Sequence, residues 1–165
     1  MTQRDPQQNE AEKTQPAGAE AGPQSLLGFE SGGELWLVDL DAVGEVLPVP
    51  ALAEVPLTKP WFRGIANIRG TLYSVTDLAA FHGLDPTPAS MQTRLLLAGP
   101  RGGNVALLVS GTQGLKALAT LEALPANAPA QPWRGERYRD NSGRTWTHLL
   151  LPVLLAASEF LNIAT

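Results

Sequence analysis

No cysteine occurs anywhere in this chain, which excludes a disulfide framework and any cysteine-based zinc site. A thiol-free sequence is compatible with the cytoplasm. Histidine is nearly as scarce, with only His82 and His148 available for acid–base or metal chemistry. No apolar run approaches the ~20 residues of a membrane-spanning helix, and the polar N-terminus carries no apolar segment of the secretory kind. Excess positive charge is missing too. Acidic residues number 16 against 12 basic ones, for a net charge of −4, which argues against a general nucleic-acid binder. Lys59, Arg63 and Arg69 do lie close together in sequence, which leaves room for a local basic patch. Residues 1–24 lack Val, Ile, Leu, Phe, Trp and Tyr altogether. Such a stretch cannot bury enough apolar area to offset the entropy of ordering it, so a disordered tail without a role of its own is expected there.

From Ser25 onward the composition changes. About 140 residues remain, the size of one ordinary domain, so 25–165 is expected to form a single domain. Hydrophobic residues make up 44% of the chain, and 16 Gly with 14 Pro point to frequent turns and short strands. "SLLGFESGGELWLVDL" (25–40) reads as a hairpin turning at Ser31-Gly32-Gly33. In its second arm Leu35 and Leu37 share one face while Trp36, Val38 and Leu40 share the other, so that strand is expected to be covered on both sides. A short turn and a strand follow over 41–50, with Pro48 and Pro50 limiting it to an edge or an end. "GIANI" and "TLYSV" are short strands joined by Arg69-Gly70. Asp77 can cap one or two helical turns that stop at Gly83, and "DPTPAS" reads as a surface loop.

"TRLLLAG" and "NVALLVSG" are joined by "PRGG" into a second hairpin, "TQGLKAL" adds a further strand, and the Pro/Ala-rich 124–135 loops out. A third hairpin turns at Asp140-Asn141-Ser142-Gly143. The final segment predicts a docked helix with Pro152 at its first position and Val153, Ala157, Phe160 and Leu161 on one face. The sum is about nine or ten strands, three hairpins and a closing helix, which suggests barrels or a sandwich.

Little in this pattern points to catalysis. Ser74, Asp77 and His82 could be drawn as a triad on paper, but a triad is defined by geometry in space rather than proximity in sequence. His82 closes a helical turn, where the helix dipole mildly favours a cation, and His148 sits on a strand; both read as structural. Asp39 and Asp41 share a face if the strand continues, yet a metal needs more convergent oxygens, and Asp41 reads as a cap for the turn at Ala42-Val43. "GPRGGN" lacks the Lys-Ser/Thr of a phosphate loop. No catalytic residue, metal site or cofactor is expected.

One stretch carries more. "FRGIANIRGTLYSVTDL" (62–78) resembles the signature of the CheW-like chemotaxis adaptor family: an apolar residue, a Gly, N-[L/I]-R-G, a short strand and V-x-D-L. "VGEVLPVP" (43–50) is similar to the family's V-x-E-V segment, and "LLLAGPRGGNVALLVSG" (95–111) to its paired strands. The last stretch, read together with 60–78, resembles the PilI-type branch that serves type IV pilus twitching motility. The resemblance implies a mainly β fold of two small five-stranded SH3-like barrels packed on one core. It implies a cytoplasmic, non-enzymatic scaffold that couples the cytoplasmic tip of a chemoreceptor to the regulatory domain of a CheA-type histidine kinase. Such a scaffold reaches membrane receptor arrays through its partners, with no nucleic acid and no membrane insertion of its own. Receptor contacts carry over to Arg69, Asn67, Gly64 and Val43, and kinase contacts to Glu45 and Val46. Two departures stand out: Ser74 where the family often has Pro, and Ser110-Gly111 where an acidic residue is usual.

The residues agree with that reading. Gly70 permits a tight turn, which lifts Arg69 to a rim where its fork of donors can meet a partner carboxylate. Arg63 reads as a surface charge flanking a turn, Trp61-Phe62 as a plug at a core edge, and Trp36 and Trp146 as core; Trp133 stays open. The alternative class is a small β-barrel ligand-binding protein or enzyme, which needs a deep pocket with convergent polar groups.

Overall fold

The computed structural model describes residues 24–99 and 101–165. The expected tail lies outside the described residues except for Gln24.

Strand β1 (Ser25–Ser31) and β2 (Glu34–Asp39) form the expected first hairpin. The second strand ends at Asp39, and a 3-10 turn over Leu40–Ala42 leads into β3 (Val43–Pro48). Asp41 therefore sits inside the turn rather than capping it; Asp39 holds the cap position without a side-chain capping bond. Then come β4 (Leu52–Ala53), β5 (Phe62–Ile68), β6 (Thr71–Asp77) and the short helix α1 (Leu78–Phe81). Strands β7 (Arg94–Ala98), β8 (Val105–Val109), β9 (Gly111–Ala117) and β10 (Glu122–Ala123) follow. The described chain closes with β11 (Arg134–Arg139), β12 (Thr145–Leu149), α2 (Leu151–Ala156) and α3 (Ser158–Leu161).

These strands make two six-stranded sheets, ordered β10-β11-β12-β2-β1-β9 and β3-β7-β8-β6-β5-β4. The chain begins in the first sheet, builds the second from β3 to β8 and returns. The sheets match the expected mainly β, paired SH3-like architecture; the two-residue strands β4 and β10 give each a sixth strand. The β5–β6 pair is a fourth hairpin. β3 lies at an edge, where Pro48 removes no ladder bond from a central strand.

Strand alternation explains why both faces of so many strands are apolar. On β2, Trp36 and Val38 face a core shared by the two sheets, while Leu37 faces a smaller core with Trp146 inside the first sheet. On β7 and β8, Leu96, Leu107 and Val109 join the shared core, and Leu95, Leu97, Ala106 and Leu108 fill the second sheet's own core. The shared core also takes Trp133, which a proline-rich loop delivers to 3% exposure.

The single closing helix is not what forms. Extended backbone at Ala157 (ψ 133°) splits it into α2 and α3. Pro152 does occupy the first turn, but Leu151, Leu154 and Phe160 are the buried residues, whereas Val153 and Leu161 are exposed. The break turns Phe160 onto Trp61 and Phe81, with ring centroids 6.3 and 5.4 Å away.

His82 also departs from the helix-dipole expectation. Its Nε2 accepts the Trp133 indole N–H at 3.0 Å, and its ring stacks on Trp36 at 5.4 Å. Burial, helped by the nearby Arg134 charge, pushes its pKa down to about 4, so it stays neutral at pH 7.

Candidate functional site

The β5–β6 hairpin turns on two residues, Arg69 and Gly70, both with positive φ (53° and 88°). That is the backbone a two-residue hairpin turn requires. Gly adopts it freely, whereas Arg is held there against its steric preference. The Asn67 Oδ1 accepts the Gly70 N–H at 2.9 Å and secures the turn. The Arg69 side chain emerges 68% exposed.

It does not emerge alone. Both terminal guanidinium nitrogens reach the Glu45 carboxylate on β3, Nη1 donating to Oε2 at 3.3 Å and Nη2 to Oε1. The hydrogen bond and charge of Glu45 raise the Arg69 pKa further above its ordinary value. The residue expected to face a receptor and one expected to face a kinase thus form a forked pair across two strands. Val46, the neighbour of Glu45, is 37% exposed and lies on the opposite face of the edge strand.

The remaining motif residues serve from beneath. Gly64 is buried with φ 122°, and a Cβ there would stand 2.3 Å from the Ala53 carbonyl oxygen. Only glycine lets β4 lie against β5 at this point, so Gly64 shapes the site without surfacing in it. Val43 is half-buried and packs against the shared core. Arg63 is not a free surface charge beside a turn; it lies on β5 and its Nη1 donates to the fully buried Asp77 at 3.1 Å. Asp77 also caps α1 through the Ala80 N–H, as expected, and accepts the N–H and hydroxyl of Thr87, both at 2.7 Å. Thr87 is thereby buried within what the sequence reads as a surface loop.

A cleft of about 240 Å³ runs beside Glu45 and Tyr73. At Gly99 and Gly103 it adjoins a larger one of about 870 Å³ between the 3-10 turn, the β7–β8 loop and α2, lined by Asp39, Asp41, Ala42, Leu151 and Leu155 among others. Together they form a groove that leads from the boundary of the two sheets to the Arg69–Glu45 pair. No local signal in the sequence marks it, because its walls come from separate segments spread between residues 39 and 156.

The triad on paper does not assemble. His82 is bonded to Trp133, and the Asp77 oxygens are taken by Arg63, Thr87 and the α1 backbone. His148 sits 3.1 Å from Asp39. Among the described residues no cluster of three or more His, Cys, Asp or Glu could hold a metal ion, and no helix is long and apolar enough to cross a membrane.

Comparison with known proteins places this geometry in context. Residues 25–156 match the family model described as CheW-like domain. Protein PilI of Pseudomonas aeruginosa is 38% identical over 73 residues, which cover 44% of this chain and 41% of that protein. A probable chemotaxis protein CheW of Rhizobium etli is 26% identical over 94 residues, 57% of this chain and 61% of that protein. The matched stretches thus span less than two thirds of either curated relative. The crystal structure of the scaffolding protein TtCheW from Thermoanaerobacter tengcongensis superposes with a TM-score of 0.66 at 20% identity, covering 77% of this chain and 88% of that one, a likeness of fold.

Proposed function

The chain belongs to the CheW-like family, and from that membership we propose that it is a non-enzymatic adaptor coupling the cytoplasmic tip of a chemoreceptor to the regulatory domain of a CheA-type histidine kinase. The local similarity to PilI favours a pathway that controls type IV pilus twitching motility. On this reading 25–165 is one folded unit of two interleaved barrel subdomains, located in the cytoplasm and recruited to membrane receptor arrays by its partners.

The observation that carries the reading is the exposed guanidinium of Arg69, held on a strained turn at the end of a groove. Glu45 fixes the fork, and the guanidinium N–H groups that it leaves unused are the donors for a partner carboxylate. Asn67 sets the turn, Gly64 lets the strands beneath it close, and Val43 packs on the shared core at the start of β3. Glu45 and Val46, on opposite faces of the edge strand β3, are the kinase contacts on this reading. The Arg69–Glu45 pair then links the receptor side to the kinase side directly. The mechanism is assembly: the adaptor holds the kinase where receptor conformation changes its activity. Each contact is modest, and an array multiplies it through effective concentration.

A tagged full-length chain is expected to retain a receptor-tip fragment and a CheA-type regulatory domain, and to bring both into one complex. Recovery of neither partner rejects the reading.

A further inference from the structure

A second cleft, of about 350 Å³, lies at the other end of the second sheet. Its floor is apolar, made by Val49, Leu52 and Leu108, and its lining includes two arginines, Arg63 and Arg94. No acidic side chain lines it. With Arg63 six residues from Arg69 along β5, this place is roughly 20 Å from the hairpin tip and separate from the groove described above.

Both arginines are held from one side. Arg63 Nη1 is fixed by the buried Asp77. Arg94 Nη1 donates to the carbonyl oxygens of Met91 and Thr93, each at 2.8 Å. Among the described residues the other guanidinium nitrogens, Nε and Nη2 of both, have no protein acceptor. The loop over the cleft is equally fixed, with Thr93 Oγ1 accepting the Ser90 N–H and donating to the Pro88 carbonyl, both at 3.0 Å. Donors and walls are thus set before anything binds, which lowers the cost of binding. The size falls in the range of small-ligand sites, and a barrel mouth is a usual place for one.

We propose that this cleft binds a carboxylate carried on a short apolar body, with the free donors of Arg63 and Arg94 on the carboxylate and Val49, Leu52 and Leu108 around the hydrocarbon. A positive, preorganised mouth over an apolar floor, in a chain of net charge −4, selects against both cations and neutral polar molecules. The same chemistry is offered by a free organic acid or by the C-terminal carboxylate of a peptide ending in leucine.

The test is a titration of the isotope-labelled full chain, followed by amide chemical shifts, with hexanoate, hexanol, and an acetylated tripeptide ending in leucine as acid and as amide. Hexanoate is expected to shift the amides of Leu52, Met91 and Arg94 saturably, with a Kd on the order of 1 mM. Hexanol should bind at least about tenfold more weakly. Arg94→Gln should weaken hexanoate about tenfold. So should Met91→Glu, which sets a carboxylate at a rim position that is 88% exposed and leaves the fold alone. A tripeptide acid that binds more tightly than hexanoate, and than its own amide, assigns the site to a chain terminus; the reverse assigns it to a free acid. Equal binding of hexanoate and hexanol, no saturable shift, or shifts centred on Arg69 overturn the proposal.

Discussion

Asp77→Ala is expected to destabilise the protein by about 3–5 kcal/mol, a loss of roughly 10 °C or more in Tm. Asp77 is 0% exposed and accepts bonds from Arg63, the Ala80 N–H and both donors of Thr87. Removing it strips the cap from α1, leaves the buried Thr87 N–H and hydroxyl without an acceptor, and leaves Arg63 without its counter-charge. Truncating one partner of a buried, hydrogen-bonded charge costs far more than a surface ion pair, because the groups left behind stay desolvated. Asp77→Asn should recover part of the loss, since an amide oxygen can still accept from Thr87. Thermal unfolding of the three proteins measures both. An Ala variant that melts within about 2 °C of the parent would show that Asp77 does not organise this junction.

Acidification should weaken the fold before the carboxylates titrate. The His82 pKa falls from 6.5 to about 4 on folding, so between those values the unfolded chain binds the proton that the folded chain refuses. The stabilisation is complete above pH 6.5 and is lost as the pH drops through 4. One pKa unit is about 1.4 kcal/mol; with the ring only partly enclosed, a loss of about 2 kcal/mol across this window is expected. Protonation turns Nε2 from acceptor to donor, so it can no longer receive the Trp133 N–H, and it adds a cation near Arg134. Asp140 contributes at lower pH. Its carboxyl is held well below the usual range by the Trp146 indole N–H first, then by the backbone N–H groups of Arg144 and Ser142 and the Arg144 side chain. Its share is present above the ordinary carboxylate pKa and is lost only below it. Urea unfolding followed by tryptophan fluorescence at pH 7, 5.5 and 4.5 separates the two. His82→Phe should start less stable yet flatten the slope from pH 6.5 to 4, and an unchanged slope would remove His82 as its source.

What could be read from the sequence was what neighbouring residues decide. Gly32-Gly33, Arg69-Gly70 and the Asp140–Gly143 run carry their turn chemistry within two to four residues, and the hairpins they imply are present. Apolar residues on both faces of β2 announced a doubly covered strand. What escaped was set across the chain. The Arg63–Asp77 and Arg69–Glu45 pairs join residues 14 and 24 positions apart, and nothing local distinguishes a guanidinium that reaches a partner from one that meets water. Thr87 and Trp133 sit in segments whose composition reads as loop, and one buried residue does not change an average. The 3.6-residue period over 152–161 is compatible with a helix, but extended backbone at Ala157 ends α2, and Phe160 packs on Trp61 and Phe81 from α3. Family resemblance located Arg69 and Glu45, and only the structure joined them.

Arg69→Gly separates docking from folding most directly. A glycine accepts the φ of 53° without strain, and a solvent-exposed ion pair adds little stability. The account therefore predicts a Tm equal to the parent's or higher by up to about 3 °C, together with receptor-tip binding weakened several-fold in a direct titration. Receptor binding at the parental affinity, or a clear fall in Tm, would contradict it: the first removes Arg69 from the interface, and the second makes it a prop of the hairpin.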